Sequence, residues 1–510
     1  MKVIWISDAE EQLRPALSEQ VIEAWTNGRS TDHQMAVIDL LDAYRSRIDQ
    51  ILVKTFSASR SEFVVVIRLM RGYRRRPNLF LLLIEVVGGS KHGRHVVKVG
   101  EAERLDDELS RWKAWRGAPL RHDVILLTLE DGASLSSSSR NKDRCKQLSR
   151  SLVYADANQH IGAERIVTLE DALAGAILHE TPSLVSVVSV LDDVYERLGR
   201  VMYDVGVERG PMQNGYVLEI KHLEICLELL ETGVCRAARE LVNEMPSTSR
   251  GPGKFFDPAG YLQRIVLPTV AYRRKDGQIK RPQKVRRSAQ APSASDVVPG
   301  MLVGQAHGDL HGRNVHVGIV GDDARWPAIF DYEDMSTANY IGWDFVKMET
   351  ELKIRLYPLI FHRPAMASPG IPERRESFAA TVRSFEEQLN LMTERGRNLG
   401  WPRFDDVVSN WMRRKQGAEA LDDIELAADR MAARLAIVLL AIRRQAHNQL
   451  GRRHDRVNRW LEEYYFLLLC YGVSNMRFSN LEMSERIGSL VSAGTAAARL
   501  SWFYRSSGIG

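Results

Sequence analysis

The chain has 510 residues, 70 basic and 65 acidic, for a formal net charge of +5. So small a surplus on so large a surface excludes a dedicated nucleic-acid binder, and a hydrophobic content of 44% with a charged content of 26% excludes a disordered or fibrous chain. The length predicts two to four packed units. The four cysteines, Cys145, Cys226, Cys235 and Cys470, show no CxxC pairing, which speaks against a zinc module or disulfide scaffold and for a reducing compartment.

Met1 to Asp8 opens with a short apolar run, a first strand, and lacks the core and cleavage site of a secretory signal. The longest apolar stretches, such as Ala436 to Ile442, are far short of a bilayer span. A cytoplasmic protein without membrane contact is expected. Residues 1–50 read as a helical extension, with Leu13, Leu17, Val21 and Ile22, then Met35, Ile38 and Leu41, at helical spacing around a turn at Asn27–Ser30.

Residues 51–154 change to β texture. Strands are predicted at Ile51–Phe56, Phe63–Leu69, Leu79–Val87 and His95–Val99, with a hairpin turn at Gly88–Gly93. A helix over Glu101–Trp115 follows, then strands at Asp123–Leu129 and Leu152–Tyr154 around a polar connection at Ser134–Ser139. Residues 155–356 become mainly helical, with helices predicted over Leu169–Leu178, Ser186–Tyr203 and Leu218–Leu241. Within them, residues 272–299 read as a basic loop or long hairpin. A solvated connector is the favoured reading, because its basic side chains lack the interleaved aromatics of a nucleic-acid groove; the alternative is contact with an acidic substrate, a phosphate or a nucleic-acid backbone. Residues 357–510 form a helical region, with helices at Ser377–Glu394, Ala418–Leu450 and Arg456–Tyr471 and no repeat of fixed period.

The sharpest local signal is Gln305-Ala-His-Gly-Asp-Leu-His-Gly-Arg-Asn-Val-His-Val317, where Asp309 and Asn314 stand five apart in a short loop before an apolar strand. Phosphoryl transfer to a hydroxyl needs a carboxylate that orients the attacking oxygen and accepts its proton, and an oxygen donor for the metal on the phosphates. Downstream, Asp331 ends the apolar run Trp326–Phe330, and a hairpin with Val315–Val320 would bring it beside Asn314. Magnesium takes such hard oxygen ligands while keeping contacts to water and phosphate.

HGDLHGRNV followed by IFDYED resembles the aminoglycoside phosphotransferase and choline-kinase-like branch of the protein-kinase-like superfamily. A tighter resemblance, from His95 through Asp344, is to the bacterial kinase-like domain called a ternary-complex-associated domain. It rests on SASRSEFVVVIRL, VVKVGEAERLDDEL, LVYADANQHIG, HGDLHGRN and FDYED in order, over most of the span from Ile51 to Leu356. The resemblance implies an α+β, bilobal protein-kinase-like fold with a β-rich N-lobe, a helical C-lobe and additional helices at both ends. It implies ATP in the cleft between the lobes, with Mg2+, and a place in bacterial conflict or antiviral defence.

Carried over by that resemblance, Asp309 is the catalytic base, His307 organises the loop, and Asn314 and Asp331 ligate magnesium. Lys98 holds the α- and β-phosphates with Glu108 as its ion-pair partner, Glu101 and Glu103 being rivals. The phosphate-covering loop falls at Ser57–Ser61, with Ser57, Ser59 and Arg60 as nucleotide contacts, though it has no glycine. The lobe connection falls at Leu152–Asn158, where the backbone near Tyr154 and Asp156 would meet the adenine edge. Asp344 is either a carboxylate that steadies the loop or an ordinary helix N-cap, and His311 and His316 are hydrogen-bonding residues of the loop.

The acceptor hydroxyl stays open among a small molecule, a nucleotide, a protein and an RNA, and the helical extensions offer room for a protein partner. Three other functions share these residues. Gly308–Gly312 also matches the GDxHG box of calcineurin-like phosphoesterases, with Asp309 and His311 as ligands of a two-metal centre, although only Gly321-Asp-Asp323 follows and no GNH box. A non-catalytic kinase fold used for nucleotide binding or assembly, and a nucleotidyl transferase with ATP reversed, are the others.

Overall fold

The computed structural model describes residues 2–5, 46–56, 64–69, 79–87, 93–116, 126–135, 148–155, 162–203, 208–209, 217–218, 223–244, 257–268, 271–273, 278–280, 298–361, 372–399, 401, 423–454, 459–478 and 481–506. The helices expected between Glu10 and Ala43, the loop Ser57–Ser61, residues 88–92 of the expected turn and Asp156 lie outside them. The chain is an α+β protein of two units, Met1–Val201 with Gly312–Ser336, and Met202–His311 with Thr337–Gly510.

The first unit holds a six-stranded sheet of β1 (Lys2–Trp5), β2 (Val64–Leu69), β3 (Phe80–Val87), β4 (Gly93–Gly100), β5 (Thr128–Ser134) and β6 (Arg150–Ala155). Its order is β1-β2-β3-β4-β6-β5, with β1 parallel to β2 and the other pairs antiparallel. Successive side chains of a strand point to opposite faces. Val97 and Val99 of β4 therefore join Phe80, Leu82, Ile84 and Val86 of β3 on one face, under α1 (residues 46–56).

Helix α1 corrects the strand expected at Ile51–Phe56. Ile48, Ile51, Leu52, Thr55 and Phe56 are buried while Val53 and Lys54 are exposed, the 3.6-residue period of one helical face. The β-branched and aromatic content of six residues suggests a strand, and six residues are too few to show the period.

Val96 and Lys98 take the other face of β4, opposite Tyr154 and Leu152 of β6. Helix α2 (Ala102–Arg116) supplies the buried stripe Leu105, Glu108, Leu109 and Trp112. The strand expected at Asp123–Leu129 lies further on, as β5. Beyond the sheet, Val315–Val320 pairs with both Arg165–Thr168 and Asp323–Ile329, completing the expected hairpin. The helix Leu169–His179 is capped by the Thr168 hydroxyl, which accepts from Asp171 N at 3.1 Å.

In the second unit, Leu302–Ala306 lies between Ser336–Tyr340 and Glu208–Arg209. The single helix expected over Leu218–Leu241 is broken into a strand, Val217–Leu218, and two helices, Leu223–Leu229 and Gly233–Glu244. Gly233 has φ 51°, a left-handed conformation that glycine adopts without strain and that interrupts a helix. Of the basic connector, Ala271–Arg273 and Ile279–Lys280 pair as an antiparallel hairpin, while residues 274–277 and 281–297 lie outside the described ones. The helices Ile341–Phe361, Pro372–Leu399, Asp423–Leu450, Arg459–Ser474 and Met483–Ser506 pack on one another, the first and last of them additional to the expected helices. No described helix is long and apolar enough to cross a membrane.

Candidate functional site

In the first unit, the strand that places Lys98 on the α2 face of the sheet buries its ammonium completely. Nζ donates to Glu108 Oε2 at 2.7 Å and to Asp331 Oδ1 at 2.7 Å. Glu108 Oε1 accepts from the Tyr154 hydroxyl and from Tyr332 N, the latter at 3.2 Å. Tyr332 stacks on Trp112 with ring centroids 4.6 Å apart and donates its hydroxyl to Leu127 O and Ile329 O, each at 2.8 Å. Glu108 is therefore held by its strand and hairpin neighbours as well as by the lysine. Of its rivals, Glu101 and Glu103 are exposed.

One ammonium between two carboxylates leaves a net negative charge in a buried place. Burial pushes the Glu108 carboxyl above the usual carboxylate range, with Lys98 pulling it back. Glu333 lies 3.9 Å from Lys98 and is itself paired with Arg104. The arrangement has room in its charge balance for a further cation.

Asp331 follows the strand Asp323–Ile329 with φ 66°, a left-handed conformation in which a non-glycine residue is strained. Phe330 N donates to Asn314 O at 3.1 Å, so positions 314 and 331 are near neighbours across the hairpin. Asn314 closes the short turn Gly312–Asn314, which packs on the start of the helix Leu169–His179. A Cβ on Gly312 would stand 2.7 Å from Glu170 N and 2.8 Å from its Cα, so only glycine fits. Arg313 adds an ion pair to Glu170 at 3.1 Å. Two hard oxygen donors, Asn314 and Asp331, thus suit magnesium, which takes one or two protein ligands besides phosphate and water. Among the described residues, no group of three His, Cys, Asp or Glu side chains gathers as a metal cage.

In the second unit, the loop His307–Asp309 is held by Asp344 from the first turn of the helix Ile341–Phe361. Its carboxylate accepts from His307 N at 3.0 Å, Gly308 N at 2.8 Å and the Tyr203 hydroxyl at 3.1 Å. Burial raises the Asp344 carboxyl above its ordinary range, against His307 and these hydrogen bonds. Of the two roles expected for Asp344, the structure thus shows the steadying one. Gly308 has φ 79°, which suits glycine. Asp309 N donates to the buried His307 ring at Nδ1, 3.3 Å. Asp309 pairs with the Lys347 ammonium, and His311 Nε2 stands 3.7 Å from Asp309 Oδ2.

Lys98, Glu108 and Asp331 form one cluster, and His307, Asp309 and Asp344 another. Tyr154, expected near the adenine edge through its backbone, lies within the six-stranded sheet. Its residue is paired to Val96 on one side and Leu129 on the other, and its buried hydroxyl serves Glu108. His316 lies in a strand, its ring 4.4 Å from that of Phe330. Ser57, Ser59, Arg60 and Asp156 lie outside the described residues. Sequence reasoning missed Lys347, whose signal is its spacing of three from Asp344 on one helical face.

No family model matches the chain, and no curated protein matches it. Among solved structures, it is similar to a choline kinase from Cryptosporidium parvum Iowa II at 10% identity, over 87% of this chain and 91% of that one, with a TM-score of 0.33. It is also similar to an ethanolamine kinase from Plasmodium vivax at 10% identity, over 87% and 84%, with a TM-score of 0.25. Likenesses at that level carry no functional conclusion, which rests instead on the residues described above.

Proposed function

We propose that the chain is an ATP- and magnesium-dependent phosphotransferase of the protein-kinase-like, aminoglycoside phosphotransferase type, passing a γ-phosphate to a hydroxyl acceptor. The observation that carries it is the buried Lys98 ammonium fixed between Glu108 and Asp331. A buried ion cluster is a poor way to stabilise a fold, since well-packed apolar side chains often do better. A strained Asp331 and a desolvated Glu108 in the same cluster are the pattern of a functional place.

Lys98, kept in line by Glu108, would meet the α- and β-phosphates. Asn314 and Asp331 would hold the magnesium, which would supply positive charge against that of the phosphates. Asp309 orients the acceptor hydroxyl and takes its proton as the new O–P bond forms and ADP leaves. The two groups of residues are assigned to one reaction by their order along the chain. The ammonium paired to Asp309 favours transfer over two-metal phosphoester hydrolysis, in which that carboxylate would be a metal ligand.

The test is incubation with γ-labelled ATP, magnesium and cell extract, with thermal melting in parallel. Wild type should gain stability from Mg-ATP and label an acceptor. Asp309→Asn should keep the nucleotide-dependent gain while transfer falls on the order of 10²- to 10⁴-fold. Equal labelling by that variant removes Asp309 from the chemistry. Stabilisation without transfer by wild type supports a nucleotide-binding or assembly role instead.

A further inference from the structure

We infer that Lys347 is a positioning residue for Asp309, a role that rests on the phosphotransferase reading and adds to it. Helix Ile341–Phe361 presents Asp344 and Lys347 three residues apart, hence on one face. Asp344 holds the loop by its backbone at His307 and Gly308, and Lys347 holds it by the side chain of Asp309. A single helix thereby fixes both the position of the loop and the direction of its carboxylate.

Lys347 is itself directed. Its ammonium stands 5.9 Å from the centroid of the Tyr471 ring, within reach of a cation–π attraction. The Tyr471 hydroxyl donates to Glu351 Oε1 at 2.7 Å, and Glu351 is one helical turn after Lys347. Trp343, one turn before, packs edge-on against the same ring at 5.1 Å. An ordinary exposed ion pair has no such support and contributes little. With side-chain exposures of 14% for Lys347 and 23% for Asp309, this pair is mostly shielded yet reachable by a substrate.

A proton acceptor works when it sits within hydrogen-bond reach of the hydroxyl it deprotonates. During transfer the acceptor O–H proton passes to the Asp309 carboxylate, the acceptor O–Pγ bond forms, and the bond from Pγ to the β-phosphate oxygen breaks with its electrons going to ADP. Lys347 keeps the receiving carboxylate aimed before that step, and the loss falls on turnover rather than on nucleotide binding.

The experiment measures magnesium-dependent ATP hydrolysis, with water as acceptor, by wild type, Lys347→Met and Lys347→Arg, alongside melting with and without Mg-ATP. Lys347→Met should lower kcat on the order of 10²-fold, leave KM for ATP within about twofold and melt like wild type. Lys347→Arg, which keeps the charge, should retain more turnover than Lys347→Met. Unchanged kcat in Lys347→Met, a loss shared with KM or melting temperature, or equal losses in both variants would overturn the role of Lys347 alone. A wild type that neither hydrolyses ATP nor gains stability from it would overturn the phosphotransferase reading first, and the role of Lys347 with it. A wild type stabilised by Mg-ATP without turning it over would overturn the role as well.

Discussion

Lys98 separates two kinds of ion pair that look alike in a sequence. A surface pair is screened and dispensable, whereas this ammonium is wholly buried between two carboxylates. Replacing it by methionine leaves Glu108 and Asp331 facing each other, at a cost on the order of 3 kcal/mol by the general rule for a broken buried pair. The folded Glu108 carboxyl already titrates above its unfolded value of 4.5. The stability it contributes is present below that value and lost as pH rises through the folded pKa. Without Lys98 the upward shift grows, so chemical denaturation should show a larger deficit for Lys98→Met at pH 7 than at pH 4.5. Equal deficits would mean that the cluster is not charged as described. Glu108 was one of three acidic candidates in the sequence. Its place in the stripe Leu105, Glu108, Leu109 and Trp112 distinguishes it, because Glu101 and Glu103 fall off that stripe and are exposed.

At the scale of elements, the helix Ile341–Phe361 connects loop geometry to the second unit's core. Asp344→Ala would leave the N–H groups of His307 and Gly308 without their acceptor, costing about 3 kcal/mol and turnover with it. Urea melts and transfer assays that both match wild type would refute that anchoring role. Elements with a long periodic signal are legible in the sequence. Strand β3 and helix α2 stand within a few residues of their expected bounds. Short or interrupted elements carry a weaker signal. The last six residues of α1 are too few to show a helical period, and the break within Leu218–Leu241 rests on the φ of 51° at Gly233, which only the folded chain displays.

At the scale of the whole chain, the second unit has its own buried ionic centre. Arg443 donates to both Glu349 oxygens, at 2.7 and 3.0 Å, and to Asn390 and Thr393, while Lys353 lies 2.5 Å from Glu349 and 2.8 Å from Glu386. Burial opposes ionisation of Glu349, but Arg443 and then Lys353 hold its carboxyl down at about 2. A depressed carboxylate contributes stability above its unfolded value of 4.5 and loses it as pH falls toward 2. The shift corresponds to about 3 kcal/mol. Glu349→Gln should therefore be less stable than wild type at pH 7 and lose less on acidification from pH 4.5 to 2, as followed by urea melts at each pH. A parallel pH dependence in the two proteins would count against the charge pairing. This centre spans Glu349, Glu386 and Arg443 on three helices, and no spacing in the sequence announces such a meeting.

The sequence by itself determined the chemistry on offer: the loop His307–Asn314, the carboxylate at Asp331, the lysine in an apolar strand, and the helical character of the last third. These are local properties, set by residue type and short spacing, so they survive without a fold. Which glutamate meets Lys98, that Tyr154 points inward to Glu108, that Asp344 anchors the loop and that Lys347 reaches Asp309 were decided by tertiary structure alone. Each of these joins residues separated by between 10 and 46 positions. A partner at that range is selected by how strands and helices pack, since burial leaves each polar group only the neighbours that packing supplies.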